Sequence, residues 1–329
     1  MLAWRTPWKP GSARSPSSLT GSRRRYRTSG CRAASPCSRG QAASIPPERT
    51  SEPEGIWPLR STACTGIRQG VVRCRGRGVR AMSTPALRIF TFSPDWGLPA
   101  GGPFDLKLLA WLNLAGIPYE QVFQDDTRKG PKGKNPWIDM DGERLGDTEI
   151  IIDLLGKRFD VDLDRGLTPE QRALGHAWRR TFEEHFHQVL EWELLVHPAG
   201  AAYMKTSLEA KMPPVIGTLV FTMLRSRMRK QLHARGLARH SPEIIRMKGC
   251  ADVDALAIFL GDRPYLVADR ATSFDAAVFG LLAPMVYWPM DTPVAQHVRS
   301  VPTIKAYVDR MKQQCFGGRG VSAFRAAAA

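Results

Sequence analysis

Several groupings in this chain of 329 residues have residue types at spacings that could do chemistry. Glu184 and His187, three apart, with Glu191 one turn on, fall on one face of a helical stretch. Two carboxylates and an imidazole are the makings of a metal site. Di-iron bundles, however, use Glu-x-x-His twice together with two further Glu. The chain carries one copy, with His185 directed elsewhere, so the expectation is a solvated or bundle-facing polar patch and no metal. Cys31, Cys37, Cys64 and Cys74 are spaced too irregularly for paired zinc ligands. Asp147-Thr148 and Thr272-Ser273-Phe274-Asp275 set acids and hydroxyls ahead of apolar runs, where such residues cap helices, the second as a capping box. The Arg clusters at 23–25 and 73–80 could grip phosphates through charge alone. The basic run at 225–239 reads as a solvated face, with contact to anionic lipid or nucleic acid as the alternative.

The charge is unevenly placed. Residues 1–81 hold fifteen Arg and one Lys against Glu48, Glu52 and Glu54, which accounts for most of the net charge of +16. The high isoelectric point therefore belongs to the tail, and nucleic acid is not an expected partner of the body. Residues 1–85 read as a disordered basic tail, because their apolar residues are too sparse to offset the entropy of ordering. Three uses of it stay open: a transit peptide, a phosphate-binding arm, or a stretch upstream of a translation start at Met82, which its excess of Arg over Lys favours. Residues 317–329 read as a second disordered tail. Cys250 and Cys315 are too few for a disulfide framework, which fits a reducing, cytoplasmic setting, with the periphery of a membrane as the alternative. No run of about 18 apolar residues is present, so no transmembrane helix is expected.

The elements that must position these groups are legible from residue 87 onward. Residues 87–92 alternate and are rich in β formers. Pro103 opens a helix to Ala115, with Phe104, Leu108, Trp111 and Leu112 at helical spacing, and Gly116 stops it. Residues 119–123 read as a second strand, 128–134 as a basic loop and 135–140 as a third strand. Asp141-Gly142 is a two-residue hairpin turn returning through 143–145 to a helix capped at Asp147-Thr148. Residues 86–162 thus form a small mixed sheet with helices. From residue 168 the pattern is helical only, over 168–195, 208–235, 241–260, 272–286 and 301–314, so 168–316 reads as an all-helical domain.

Six segments carry a resemblance. Gly133-Lys134-Asn135-Pro136-Trp137-Ile138, then Asp141-Gly142, then Gly146-Asp147-Thr148-Glu149-Ile150-Ile151 resemble the glutathione-site segment of the cytosolic glutathione S-transferase superfamily. Within it, Pro103-Phe104-Asp105-Leu106-Lys107, Gly116-Ile117-Pro118-Tyr119 and Gly236-Leu237-Ala238-Arg239-His240-Ser241 look like the failed axon connections branch, related to metaxins. The resemblance spans residues 86–316. It implies an α+β chain, with a thioredoxin-like N-terminal domain at 86–162 followed by the all-helical glutathione-transferase C-terminal domain at 168–316. It further implies glutathione as ligand or co-substrate, a hydrophobic electrophile as second substrate, and a possible homodimer. Pro136 would follow a cis bond, leaving the Asn135 backbone to pair with the tripeptide. Thr148 and a helix N-terminus would hold the γ-glutamyl carboxylate, Asp147 its ammonium, and Lys134 or Lys132 the glycyl carboxylate.

One position departs from the pattern. Relatives stabilise the glutathione thiolate with a Tyr, Ser or Cys, and where it is Ser or Cys it sits just before Pro-Phe; here that residue is Gly102. Ser93 is the nearby hydroxyl that would serve in its place, and the backbone N–H groups opening the Pro103 helix are the other candidate. Two functions therefore stand side by side. One is a transferase conjugating glutathione to an electrophile; the other is a non-catalytic interaction module of the metaxin type.

Overall fold

The computed structural model describes residues 87–317. The expectations for the basic tail, the Met82 start and residues 318–329 lie outside the described residues. Strand β1 (Arg88–Thr91) pairs in parallel with β2 (Glu120–Phe123) and antiparallel with β3 (Trp137–Met140), which pairs antiparallel with β4 (Glu143–Gly146). The sheet order is β2-β1-β3-β4. Alternation along the strands sorts the side chains by face. Ile89 and Ile138 join the main core, whereas Phe90, Val122 and Trp137 form a small cluster of their own, with Phe90 stacked on Trp137 at 3.6 Å. Helix α1 (Pro103–Ala115) begins on a proline and ends on Gly116 at φ +68, where a left-handed residue suits glycine. The β3–β4 turn places Asp141 and Gly142 at φ +58 and +85, the mirror-image turn that matches strand twist. Helix α2 (Thr148–Phe159) follows. This is the thioredoxin-like arrangement expected of the N-terminal part.

The remainder is helical, and no strand occurs beyond Gly146 among the described residues. Thr168 and Gln171 cap one another reciprocally to start α3 (Pro169–Arg180). That helix runs through a π-helical turn (Thr181–Phe186) directly into α4 (His187–Leu195). Residues 208–235, expected as one helix, are divided. Pro213 and Pro214 break the chain into α5 (Pro198–Lys211) and α6 (Pro214–Ala234), because each proline lacks the N–H that a continuing helix needs. Then come α7 (Pro242–Leu260), α8 (Ser273–Tyr287), the short α9 (Pro293–Ser300), which the periodicity did not reveal, and α10 (Pro302–Phe316).

Helix α8 is the spine of the core, buried from Phe274 through Val286. Its start is the expected capping box. Asp275 accepts from the Thr272 N–H and hydroxyl at 2.9 and 2.6 Å, and also takes the Leu266 N–H at 2.9 Å and the Tyr307 hydroxyl at 3.1 Å. Gly280 lets α1 lie directly on α8. A Cβ there would stand 2.5 Å from the Pro103 carbonyl and 2.7 Å from the Lys107 nitrogen, which no packed interface tolerates. Among the described residues no helix is long and apolar enough to cross a membrane.

Candidate functional site

Where β3 and α2 begin side by side, the chain gathers the residues singled out above. The Asn135–Pro136 peptide is cis. The Asn135 side chain holds the incoming loop by donating from Nδ2 to the Gln124 carbonyl at 2.6 Å. Asp147, the residue before α2, has φ +94 and ψ 111, a conformation unfavourable for any side-chain-bearing residue. It is kept there by its own bonds. Oδ1 accepts the Glu149 N–H at 3.1 Å, and Oδ2 lies 3.6 Å from the Lys132 ammonium. Thr148 is the first residue of α2 and only 6% exposed. The N–H groups of a first helical turn lack partners within the helix and carry its positive dipole end. Glu149, whose charge would otherwise repel an anion there, is matched by Arg179 and Arg180, each at 2.9 Å.

These residues line one side of a cleft of about 610 Å³. The opposite side comes from α1, the π-helical turn, α4 and the end of α6. Such π turns are rare and frequently occur at functional sites, and this one, with the start of α4, brings Glu183, Glu184, His187 and Gln188 to the cleft together. Lys107 of α1 and Glu183 form an ion pair at 2.5 Å, exposed by only 3% and 5%. His187 stands edge-on to Phe104, ring centres 5.0 Å apart. Burial, helped by the charges of Arg235 and Lys134, lowers its pKa to about 4, so the imidazole is neutral at physiological pH. Glu191 lies 3.7 Å from His187 and accepts from Arg235 at 3.1 Å, and burial raises its own pKa. Glu184 pairs with Arg180 at 3.4 Å, while His185 turns away to Asp252 at 2.6 Å. The two carboxylates of the Glu184–His187–Glu191 trio are thus drawn to different arginines, and among the described residues no cluster of His, Cys, Asp or Glu is arranged to hold a metal.

Lys134, Asn135, Pro136, Asp147 and Thr148 therefore meet at one cleft, with Lys132 beside them. Lys134 differs from the other cations of the lining: Lys107, Lys132, Arg180 and Arg235 each face a carboxylate within 4 Å, and Lys134 has none among the described residues. Ser93 lies outside the lining. Its hydroxyl and N–H both bind the Asp125 carboxylate, at 3.0 and 2.9 Å, and Lys211 of α5 reaches the same carboxylate at 3.4 Å. At Gly102 the neighbouring space is taken by Asp105, which is 1% exposed and accepts the Phe92 N–H at 2.8 Å. Burial holds the Asp105 pKa well above the usual carboxylate value, against the pull of the backbone N–H bonds from Phe92 and Gly102.

Sequence reasoning missed Asp105, Lys107 and Glu183. The first two were visible as charges interrupting the apolar pattern of α1, where a buried charge demands a partner. That partner, 76 positions away in the chain for Lys107, was not visible.

Two family models match the chain, one described as the glutathione S-transferase N-terminal domain over residues 103–200 and one as the glutathione S-transferase C-terminal domain over residues 249–311. Residues 201–248 fall between the two. The chain is similar to an isoprene-epoxide–glutathione S-transferase of Rhodococcus sp. (strain AD45), 29% identical over 241 residues that cover 69% of this chain and 98% of that protein. It is equally similar to Failed axon connections of Drosophila melanogaster, 29% identical over 240 residues, 69% of this chain and 57% of that protein. A metaxin-1 homolog of Caenorhabditis briggsae is 26% identical over 232 residues, covering 68% and 72% respectively.

Proposed function

Because this chain belongs to the glutathione S-transferase superfamily, in the branch with Failed axon connections and the metaxins, we propose that its cleft binds glutathione. The observation that carries the reading is the charge pattern around the start of α2. The buried hydroxyl of Thr148 at the positive end of α2, with the neighbouring carboxylate of Glu149 neutralised, suits one carboxylate of the tripeptide. Lys134, without a carboxylate partner of its own among the described residues, suits the other. Asp147 takes the γ-glutamyl ammonium, and the backbone at Asn135 and Pro136 pairs with the middle of the peptide. Phe104, beside neutral His187, gives a small hydrophobic electrophile an apolar wall.

Conjugation by this site relies on the backbone N–H groups opening α1 to stabilise the thiolate, since Ser93 is engaged by Asp125 and Gly102 has no side chain. That same feature favours a second reading, a glutathione-binding interaction module with little or no turnover. Calorimetric titration of glutathione into the full chain tests the site. Thr148→Ala and Lys134→Ala are each expected to weaken binding by about tenfold, the loss of one charge-assisted contact. Affinities equal to wild type would remove the assignment. Turnover of a chlorodinitrobenzene-type electrophile then separates the two readings.

A further inference from the structure

Helices α5 and α6 form an antiparallel hairpin that falls largely between the two family matches. Its inner side is tightly seated: a Cβ on Gly217 of α6 would lie 2.9 Å from the Glu209 Cα of α5, and Phe221 and Leu232 are buried. Its outer side carries an apolar row left exposed among the described residues. Val215 is 83% exposed, Leu219 60% and Met223 64%. Ile216, Val220, Met223, Arg227 and Lys230 follow one another at spacings of four, three, four and three, so a single stripe of α6 begins aliphatic and ends cationic.

The charge of the hairpin is as one-sided as its polarity. Residues 198–235 contain seven Lys or Arg and one acid, Glu209, and that acid is already held by the Thr218 hydroxyl and Lys205. Arg227, Arg229 and Lys230 make no ion pair among the described residues. An exposed aliphatic row continuous with uncompensated cations is unusual on a surface that faces only water.

We infer that the outer face of α6 docks on an anionic phospholipid surface, with the helix lying in the plane of the interface. The aliphatic half enters the headgroup–acyl boundary, and Arg227 and Lys230 of the same stripe rest on lipid phosphates. A second copy of this chain would bring the same unpaired cations to the contact and supply no anion. The tail at 1–81 is itself strongly basic, with sixteen Lys or Arg against three Glu, and supplies no net negative charge either. Nucleic acid would leave the aliphatic row without use, because that row presents no aromatic ring for stacking. A partner protein would meet a convex helix that lacks the aromatic anchors on which such interfaces depend.

Vesicle flotation of the full chain tests this, using phosphatidylcholine with and without phosphatidylserine. Three proteins are compared: wild type, Leu219→Glu/Met223→Glu and Arg227→Glu/Lys230→Glu. All three share the basic tail, so its contribution is common and the difference reports on α6. Wild type is expected to float with the anionic vesicles, and each double variant to partition about tenfold less. Hydrogen exchange should slow over residues 215–230 of wild type when anionic vesicles are added. The substituted side chains are exposed, so far-ultraviolet dichroism should match in all three. Equal partitioning of all three would overturn the proposal, as would absence of wild-type binding. A wild-type dimer in lipid-free buffer that Leu219→Glu/Met223→Glu makes monomeric would assign the face to a second copy instead.

Discussion

Gly102 and Asp105 compete for one volume. A Cβ on Gly102 would lie 2.5 Å from Oδ2 of Asp105 and 2.7 Å from a ring carbon of Phe92. A side chain at 102, where relatives with Ser or Cys carry theirs, would displace a carboxyl group that holds the end of β1 through the Phe92 N–H. Gly102→Ser is accordingly expected to lower stability by about 1–3 kcal/mol through overpacking. Combining it with Asp105→Ala should give less destabilisation than the two single changes predict, since the clash is removed. Urea denaturation of the three variants measures the coupling; strict additivity would mean that the two positions do not share space.

Asp105 also sets a pH dependence. Its folded pKa is raised by burial above the ordinary 3.8, so above that value the folded state holds a proton that the unfolded chain releases. The contribution of this group to stability is therefore full at low pH and declines as pH rises towards the folded pKa. Asp105→Asn, which cannot ionise, should gain in melting temperature relative to wild type as pH is raised from mildly acidic to neutral. Parallel curves for the two proteins would show that the carboxyl group is not shifted.

Two neighbouring histidines are expected to titrate in opposite directions from the ordinary 6.5. The Asp252 carboxylate bonded to His185 raises its pKa, whereas burial brings His187 to about 4. His185 then stabilises the fold below 6.5 and loses that contribution as pH rises through its folded value. His187 does the reverse: its contribution is present above 6.5 and is lost as pH falls towards 4. Side-chain NMR titration resolves the pair, and a His187 resonance that moves near pH 6.5 would contradict the burial of that ring.

Much of this architecture was legible in the sequence because its signals are local. The alternation of β1, the Asp141-Gly142 turn, Pro103 at a helix start and Asp147 as a cap each depend on a few adjacent residues. The cleft was legible for the same reason, since Lys134 to Pro136 and Asp147 to Thr148 lie within one hairpin of each other. What escaped was decided by partners distant in the chain. Lys107 and Glu183 interrupt apolar faces of separate helices and make sense only as a pair. The α5–α6 break was marked by Pro213-Pro214, but the apolar run that begins there and continues to Leu224 concealed it. Helix α9 has eight residues, too few turns for a periodic pattern to stand out.

The Lys107–Glu183 pair predicts a specific ranking. Removing Glu183 leaves the buried Lys107 ammonium without compensation, which costs about 3–5 kcal/mol, whereas removing Lys107 leaves Glu183 with Arg180 at 3.8 Å. Glu183→Leu should fall in that range by urea denaturation, and Lys107→Met should cost less. The double variant, apolar at both positions, should recover most of the loss. A double variant as unstable as the worse single change would show that packing, rather than uncompensated charge, dominates.

The backbone at residue 147 asks for glycine, the one residue that adopts φ +94 without steric penalty. The chain has an aspartate there, whose carboxylate opens onto the cleft. Backbone conformation and side-chain contacts thus make opposing demands of a single position, and the aspartate that caps α2 and faces Lys132 has prevailed. A search for more heat-resistant versions of this protein would be drawn to that residue early, and would exchange one acid of the cleft lining for an unstrained backbone.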